Sequence, residues 1–264
     1  MENELLNSDS EGQDSEWDIS ASRVIQAIEE DKFCLYCQVI VPMKQSDNMC
    51  THHEILIRMS EEEDNLIPPG TFLPFVEKYK MMPRLDRWVV RYVLQWLSSH
   101  QLPSGSLFFI NVAKDTLCDP DFPDFVRVEL QQTGISAEIL CFEVEESDVS
   151  SALIDASMFV SKIRDYGCRI ALCGFGRDPS SFDLLRNLKL DFLKIDGNMV
   201  CYMFKDPINL AKVTAINRVA HTIGIQTVAE QVETDDVVVK LREIKVDFAQ
   251  GFGLGRPYPI YDLT

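Results

Sequence analysis

The sequence has little positive charge and no long apolar run. Its 264 residues include 25 Lys and Arg but 42 Asp and Glu, which gives a formal net charge of −17 at pH 7. Because most of such a surface would repel the phosphates of a nucleic acid, this balance argues against DNA as a partner. The longest apolar runs, such as residues 199–204, are far shorter than the roughly 20 residues of a membrane-spanning helix, so no membrane span is predicted.

The N-terminus also lacks basic residues and an apolar stretch. Residues 1–18 contain seven Asp or Glu and no Lys or Arg. A secretion signal needs a basic segment followed by an apolar one, so none is predicted and we expect a cytoplasmic protein. A segment this acidic cannot bury enough apolar surface to fold. We therefore expect a disordered acidic tail over residues 1–18 and one folded domain over residues 19–264.

From residue 33 onward, strand-like runs alternate with amphipathic stretches. Strands are predicted at residues 33–42, 52–59, 107–112, 139–144, 169–173, 192–195, 226–229 and 248–250. Helices are predicted at residues 72–79, 86–97, 122–132, 155–166, 211–223 and 237–244. Eight strands separated mostly by helices, in a chain of this length, predict an α/β fold with a closed parallel barrel. In such barrels the functional residues lie at the C-terminal ends of the strands.

Polar residues recur on or just after these apolar strands. They are Glu54, Asn111, Glu143, Lys194, Glu230 and Gln250. All except Glu54, which is nearer the start of its run, lie at a predicted C-terminal strand end. Acids and amides gathered in this way are typical of a site for hard divalent cations. The strand at residues 169–173 runs instead into Cys173 and Gly174, where further carboxylates would be expected.

In their order along the chain, these motifs resemble the EAL domain, the family of phosphodiesterases that linearise cyclic di-GMP. The name-giving Glu-Ala-Leu, followed by an Arg, appears as Glu54-Ile55-Leu56-Ile57-Arg58. The other matches are Gln38-Val39, Ile110-Asn111, Glu143-Val144-Glu145-Glu146, Leu193-Lys194-Ile195-Asp196, Ala229-Glu230-Gln231-Val232-Glu233-Thr234 and Gln250-Gly251 with Arg256-Pro257. The resemblance implies a TIM-like (β/α)8 barrel of the EAL type with one irregular first strand.

The resemblance also implies a role for each matching residue. Metal ligands would be Glu54, Asn111, Glu143 and Glu230, together with an Asp pair. Catalytic positions would be Glu230 and Lys194, of which Lys194 helps to orient the nucleophilic water. Ligand contacts would come from Gln38, Glu54, Leu56, Arg58, Asn111, Lys194, Asp196, Glu233 and Gln250. Glu146 would anchor the loop that follows the strand at residues 169–173.

The chain departs from the family at one place. The Asp-Asp-Phe-Gly of the family is Cys173-Gly174-Phe175-Gly176, and the next loop, usually Thr-Gly-x-Ser-Ser, is Arg177-Asp178-Pro179-Ser180-Ser181. Hydrolysis with two metal ions needs anionic ligands, including one that bridges the ions. The remaining three glutamates and one lysine carry a formal charge of −2, which suits one Mg²⁺ or Mn²⁺ rather than two. A thiol binds these ions poorly, so we expect hydrolysis to be lost.

Three functions stay open on the sequence alone: a non-catalytic cyclic di-GMP receptor or signalling adaptor, a weakly active metal-dependent phosphodiesterase, and a regulator that acts only through an unidentified protein partner. Arg58 and Lys194 would contact phosphate oxygens, whereas the three glutamates would repel a dianionic nucleotide. The family implies a homodimer, formed partly through the loop that is altered here. No further domain is visible in this sequence, so we expect input through a ligand, dimerisation or a partner.

Overall fold

Strands close into a barrel in the computed structural model, which describes residues 21–30, 32–44, 52–60, 66–100 and 105–263. The strands are β1 (Phe33–Pro42), β2 (His52–Ser60), β3 (Leu66–Ile67), β4 (Phe108–Val112), β5 (Leu140–Glu145), β6 (Arg169–Phe175), β7 (Phe192–Ile195), β8 (Gln226–Ala229), β9 (Phe248–Ala249) and β10 (Tyr258–Pro259). The predicted acidic tail at residues 1–18 lies outside the described residues.

Helices follow most strands and cover the barrel. They are α1 (Ala21–Glu29), α2 (Pro69–Lys78), α3 (Met82–Ser99), α4 (Lys114–Leu117), α5 (Phe122–Thr133), α6 (Glu146–Ser151), α7 (Leu153–Asp165), α8 (Leu184–Asn187), α9 (Gly197–Cys201), α10 (Pro207–Thr222) and α11 (Asp235–Glu243). None of the helices in the described part of the chain is long and apolar enough to cross a membrane.

The barrel is parallel except at its first strand. β2 pairs in parallel with β4, and each strand from β4 to β8 pairs in parallel with the next one. β1 runs antiparallel to both β2 and β9 and closes the ring. The prediction of a TIM-like (β/α)8 barrel with one irregular first strand is therefore confirmed. The parallel arrangement directs the C-terminal ends of β4 to β9 to one mouth of the barrel.

Two apolar layers hold the fold. Inside the barrel, large side chains fill the lower part: Ile40, Leu107, Phe109, Cys141, Ala171, Phe192, Val228 and Phe248. His52 also lies in this interior, with its ring centroid 4.7 Å from that of Phe248. The second layer lies between the strands and the helices, so β5 and β6 are buried almost throughout. Strands buried on both faces account for the near-continuous apolar runs in the sequence.

Helix starts are the main difference from the predicted elements. The structure begins α2, α3 and α10 three or four residues before the predicted positions, and each carries a proline in its first turn. Proline is favoured there because the first helical N–H groups have no intrahelical partner. Short elements such as α4, α8 and β3 span too few residues to give a periodic signal.

Candidate functional site

Glu54 lies at the mouth of the barrel although it is near the start of β2. The pairing of β2 with β4 covers only His53 to Ile55, and Glu54 stands opposite Phe109, two residues before Asn111. Beyond this point β2 leaves the barrel and pairs with the start of β1 and with β3. The barrel part of β2 therefore ends next to Glu54, which brings this carboxylate level with the other strand ends.

The ammonium group of Lys194 lies at the centre of the predicted site. Its Nζ is 2.7 Å from Glu143 Oε1, 2.9 Å from Glu54 Oε2 and 3.2 Å from Glu230 Oε1. The Lys194 side chain is only 1% exposed, because it rises from β7 inside the ring of strands. The three glutamates predicted as metal ligands are thus brought together around one buried cation.

Two amide side chains, those of Asn111 and Gln250, hold the Glu54 carboxylate from its other sides. Asn111 Nδ2 donates to Glu54 Oε1 at 2.9 Å, and Gln250 Nε2 donates to Glu54 Oε2 at 2.7 Å. Gln250 Nε2 also lies 3.2 Å from Gln38 Oε1, while Gln38 Nε2 donates to the carbonyl of Gly255 at 2.8 Å. This network fixes the position of Glu54 and connects β1, β2, β4 and the end of β9.

Burial and the neighbouring charges shift the pKa values of the three glutamates and of Lys194. Burial opposes the ionisation of Glu54, but the Lys194 charge and the hydrogen bonds from Asn111 and Gln250 hold its pKa below the usual value. Burial, reinforced by the Glu54 charge, raises the pKa of Glu143 to about 8. Burial also raises the pKa of Glu230. Although burial disfavours its charge, the surrounding glutamates, led by Glu143, raise the pKa of Lys194 well above its usual value.

Cys173 and Gly174, where the resemblance to the family predicts two aspartates, lie near the end of β6. The Cys173 thiol is buried, and burial followed by the charge of Glu143 raises its pKa well above the usual value, so it stays protonated. Gly174 adopts a left-handed conformation with φ of +66°. A Cβ atom added at Gly174 would lie 2.8 Å from Glu145 Oε2 and 3.2 Å from Arg177 Cζ. The space for a side chain at position 174 is therefore taken.

The altered loop after β6 is tied to the site by two acids. Arg177 Nε donates to Asp196, and Arg177 Nη1 lies 3.8 Å from Glu145 Oε2. Asp196 is buried and caps α9 by accepting from the N–H of Asn198 at 3.1 Å. Glu146, predicted to anchor this loop, accepts from the backbone N–H of Gly176 at 2.9 Å and from the hydroxyl of Ser181.

A cavity of about 430 Å³ opens over this cluster. Its lining contains Gln38, Glu54, Glu145, Arg177, Glu230, Gln231, Glu233, Gln250, Gly251 and Phe252. Leu56 and Arg58 are not among these residues: Leu56 is half-buried on β2, and the Arg58 guanidinium lies 5.5 Å from the ring centroid of Tyr36. Their predicted contact with a ligand stays a prediction.

Five residues of the cavity wall were not among the predicted site residues: Glu145, Arg177, Gln231, Gly251 and Phe252. Arg177 replaces an uncharged residue of the family motif, and that change of charge was the signal available. Gln231 replaces a glycine of the motif and keeps its backbone requirement, with φ of +54°. Its side chain packs over Gly197, where an added Cβ would lie 2.4 Å from Gln231 Cγ.

A centre of two divalent ions does not fit these residues. Cys173 and Gly174 supply no carboxylate, and the guanidinium of Arg177 lies beside Gly174. The three glutamates face the Lys194 ammonium, which would repel a further cation. Within the described ranges, no group of three or more His, Cys, Asp or Glu side chains is arranged to hold a metal ion. Among the described residues, Glu143 Oε2 has no hydrogen-bond donor, and Oε1 meets the Lys194 ammonium at 2.7 Å without a well-directed hydrogen bond.

Comparison with known proteins relates the chain to one protein family. A family model of the EAL domain matches residues 21–257. The chain is 31% identical over 243 residues to the cyclic di-GMP phosphodiesterase PdeF of Escherichia coli, covering 91% of this chain and 32% of that protein. It is 32% identical over 241 residues to the cyclic di-GMP phosphodiesterase PdeB of Shewanella oneidensis, covering 91% of this chain and 28% of that protein. The chain thus spans about a third of the length of the curated relatives it matches.

Solved structures share the same barrel. A complex of the phosphodiesterase PaMucR with c-di-GMP superposes with a TM-score of 0.82 at 27% identity, covering 92% of this chain and 98% of that one. The EAL domain of FimX from Pseudomonas aeruginosa, bound to c-di-GMP, superposes with a TM-score of 0.84 at 24% identity, covering 91% and 97%.

Proposed function

The chain belongs to the EAL domain family, and from this premise we propose that it binds cyclic di-GMP at the barrel mouth without hydrolysing it. It would act as a receptor that passes the nucleotide signal to a protein partner. Support for binding comes from the polar cavity above Glu54 and from kinship with phosphodiesterases of this nucleotide. Because the chain spans only about a third of those relatives, the proposal concerns the site in this domain.

One observation carries the loss of hydrolysis: β6 ends in Cys173 and Gly174, and the three remaining glutamates share a single buried ammonium group. Hydrolysis by two metals needs ions about 3.5–4 Å apart, held by anionic ligands. Neither a buried protonated thiol nor a glycine supplies such a ligand. The chain therefore keeps groups suited to nucleotide contact and lacks those that hold a hydrolytic pair of ions.

Retention of binding has its own support. The amides of Gln38 and Gln250 line the cavity and offer a donor and an acceptor to the edge of a guanine base. Lys194 already neutralises part of the charge of the glutamates, which lessens their repulsion of a dianionic nucleotide. The c-di-GMP complex of PaMucR, at 27% identity, indicates that a barrel of this size accommodates the nucleotide.

Titration calorimetry combined with product analysis tests the proposal. Cyclic di-GMP is titrated into the full chain in the presence of Mg²⁺ and again with EDTA, and long incubations at high protein concentration are analysed by chromatography. We expect saturable binding in both buffers and no linear dinucleotide. A metal-dependent linear product that disappears in Glu54→Ala would establish a weak phosphodiesterase instead. Absence of binding in both buffers would refute the receptor and leave regulation through a protein partner.

A further inference from the structure

Arg177 and Glu145 lie where the side chain of residue 174 would enter. The nearest approach of a Cβ on Gly174 to the guanidinium is 3.2 Å, to Arg177 Cζ, and 3.3 Å to Nη1. The Glu145 carboxylate is closer still, with Oε2 2.8 Å from that Cβ. A carboxylate position has thus become a glycine, and a cationic side chain from the next loop lies beside it, against Glu145.

The cavity contains a strong excess of acid around this one cation. Its wall includes four carboxylates, those of Glu54, Glu145, Glu230 and Glu233. Among the described residues that line it, Arg177 alone is cationic, since Lys194 lies buried beneath the wall. An anionic ligand that enters the cavity meets one accessible positive group, and 58% of the Arg177 side chain is exposed.

The guanidinium is held in a fixed orientation. Arg177 Nε donates to Asp196, whose other oxygen is fixed by the first turn of α9 through Asn198. Asp196 is 3% exposed, so this anchor is buried and its position is set by the fold. A planar guanidinium anchored through Nε presents its remaining N–H groups as a fork, the geometry that binds two oxygens of one phosphate group.

We propose that Arg177 is the phosphate-binding residue of this site and replaces divalent ions in holding the nucleotide. This inference rests on the proposed function and adds to it the group that contacts the phosphodiester. Asp196 is then a positioning residue, because it acts through Arg177. Binding of cyclic di-GMP becomes independent of divalent cations and sensitive to salt, since it depends on a partly exposed charge pair.

The test is calorimetry of the full chain with cyclic di-GMP in EDTA, comparing the wild type with Arg177→Gln, Arg177→Lys and Arg186→Gln. Arg186 is the matched control, because its side chain is 84% exposed and it lies outside the cavity wall. We expect Arg177→Gln to weaken binding about tenfold or more, as for one charge-assisted hydrogen bond. Arg177→Lys should weaken it less, and Arg186→Gln should bind like the wild type.

Two further readouts separate contact with the ligand from a structural role. The dissociation constant of the wild type should rise with NaCl concentration more steeply than that of Arg177→Gln, whereas a merely structural arginine would leave this slope unchanged. Melting temperatures are recorded for every variant. If Arg177→Gln does not fold, Arg177→Lys decides: it must bind more weakly than the wild type because a point charge replaces the fork.

The outcomes distinguish this inference from the proposed function. If Arg177→Gln binds in EDTA as tightly as the wild type, the role of Arg177 is overturned and the proposed receptor function is left intact. The same holds if Arg177→Gln is unfolded and a folded Arg177→Lys binds as tightly as the wild type. Binding that appears only with Mg²⁺ would also overturn the role of Arg177 and leave the proposed receptor function intact. Absence of binding by the wild type in every buffer would overturn the receptor itself, and the role of Arg177 with it.

Discussion

The ammonium of Lys194 lies 2.7 Å from the carboxylate of Glu143, and both side chains are only 1% exposed. Breaking this ion pair would destabilise the folded barrel, since a buried charge left without a partner has no water to stabilise it. Glu54 and Glu230 share the same ammonium, so one lysine neutralises a cluster that would otherwise repel itself. The acids at this mouth are therefore part of the structure of the barrel, whatever ligand they meet.

The first prediction concerns the stability that depends on Lys194. Replacement by methionine leaves the carboxylates without their buried counter-charge, so Lys194→Met should lower the free energy of unfolding by about 3–5 kcal/mol. Glu230→Gln is the matched control: it removes the most distant and most exposed of the three carboxylates, 3.2 Å from Nζ, and leaves Lys194 paired with Glu54 and Glu143. Urea unfolding at pH 7 measures both variants, and equal losses would contradict the central role of Lys194.

The second prediction is a pH dependence that arises away from the site. Asp86 on α3 accepts from the N–H of Ala113 at 3.0 Å, and burial raises its pKa from 3.8 to about 6. The folded state thus binds a proton more tightly than the unfolded state, so the contribution of Asp86 to stability is complete below about pH 4 and is lost as the pH rises through 6.

Asp86→Asn should remove this dependence while keeping the hydrogen bond to Ala113. Between pH 4 and 6, the wild type should lose stability relative to the variant by up to about 1.4 kcal/mol per pH unit. Chemical unfolding of both proteins at pH 4, 5, 6 and 7 measures the difference. A difference that does not change with pH would show that the pKa of Asp86 is unshifted.

The third prediction concerns restoration of hydrolysis. Cys173→Asp with Gly174→Asp returns both carboxylates, but the new side chain at position 174 would meet Glu145 and the guanidinium of Arg177. We expect the double variant to stay inactive, and addition of Arg177→Thr to give slow hydrolysis of cyclic di-GMP with Mn²⁺. The linear product is measured by chromatography. Equal activity of the double and triple variants would show that Arg177 does not block the site.

The fourth prediction concerns the anchor of the altered loop. Glu146 receives hydrogen bonds from the backbone of Gly176 and the hydroxyl of Ser181. Glu146→Ala removes both, so hydrogen exchange across residues 174–184 should accelerate about tenfold, the effect of losing roughly 1–2 kcal/mol of local stability. Glu145→Ala serves as the control, because, among the residues that the structure describes, the Glu145 side chain meets this loop through an ion pair of 3.8 Å with Arg177 and accepts no hydrogen bond from the loop backbone. Equal exchange in both variants would mean that Glu146 does not hold the loop.

Much of the fold could be predicted from the sequence because the signals were local. The apolar runs of β5 and β6 are buried almost throughout, and the polar residues that follow strands mark one mouth of the barrel. The position of Glu54 could not be predicted in this way, because the length of β2 that belongs to the barrel depends on where its pairing with β4 ends. Pairing register is a property of two strands, and one of them alone does not determine it.

The arrangement of the site was only partly predictable. The sequence predicts the loss of two carboxylates at Cys173 and Gly174, but the motif does not indicate which side chains lie in their place. The contact of Arg177 with Asp196 joins residues 19 positions apart. The packing of Gln231 over Gly197 is equally non-local. Such contacts follow from the closed barrel and are absent from any single motif.

The most direct measurement is a titration of the full chain with cyclic di-GMP in EDTA, followed by chromatography of the contents of the calorimeter cell. We predict saturable binding without divalent cations and complete recovery of the intact cyclic dinucleotide. Binding that requires Mg²⁺ or Mn²⁺, together with linear product when either ion is added, would contradict it, because the barrel mouth would then hold hydrolytic metal ions despite Cys173 and Gly174.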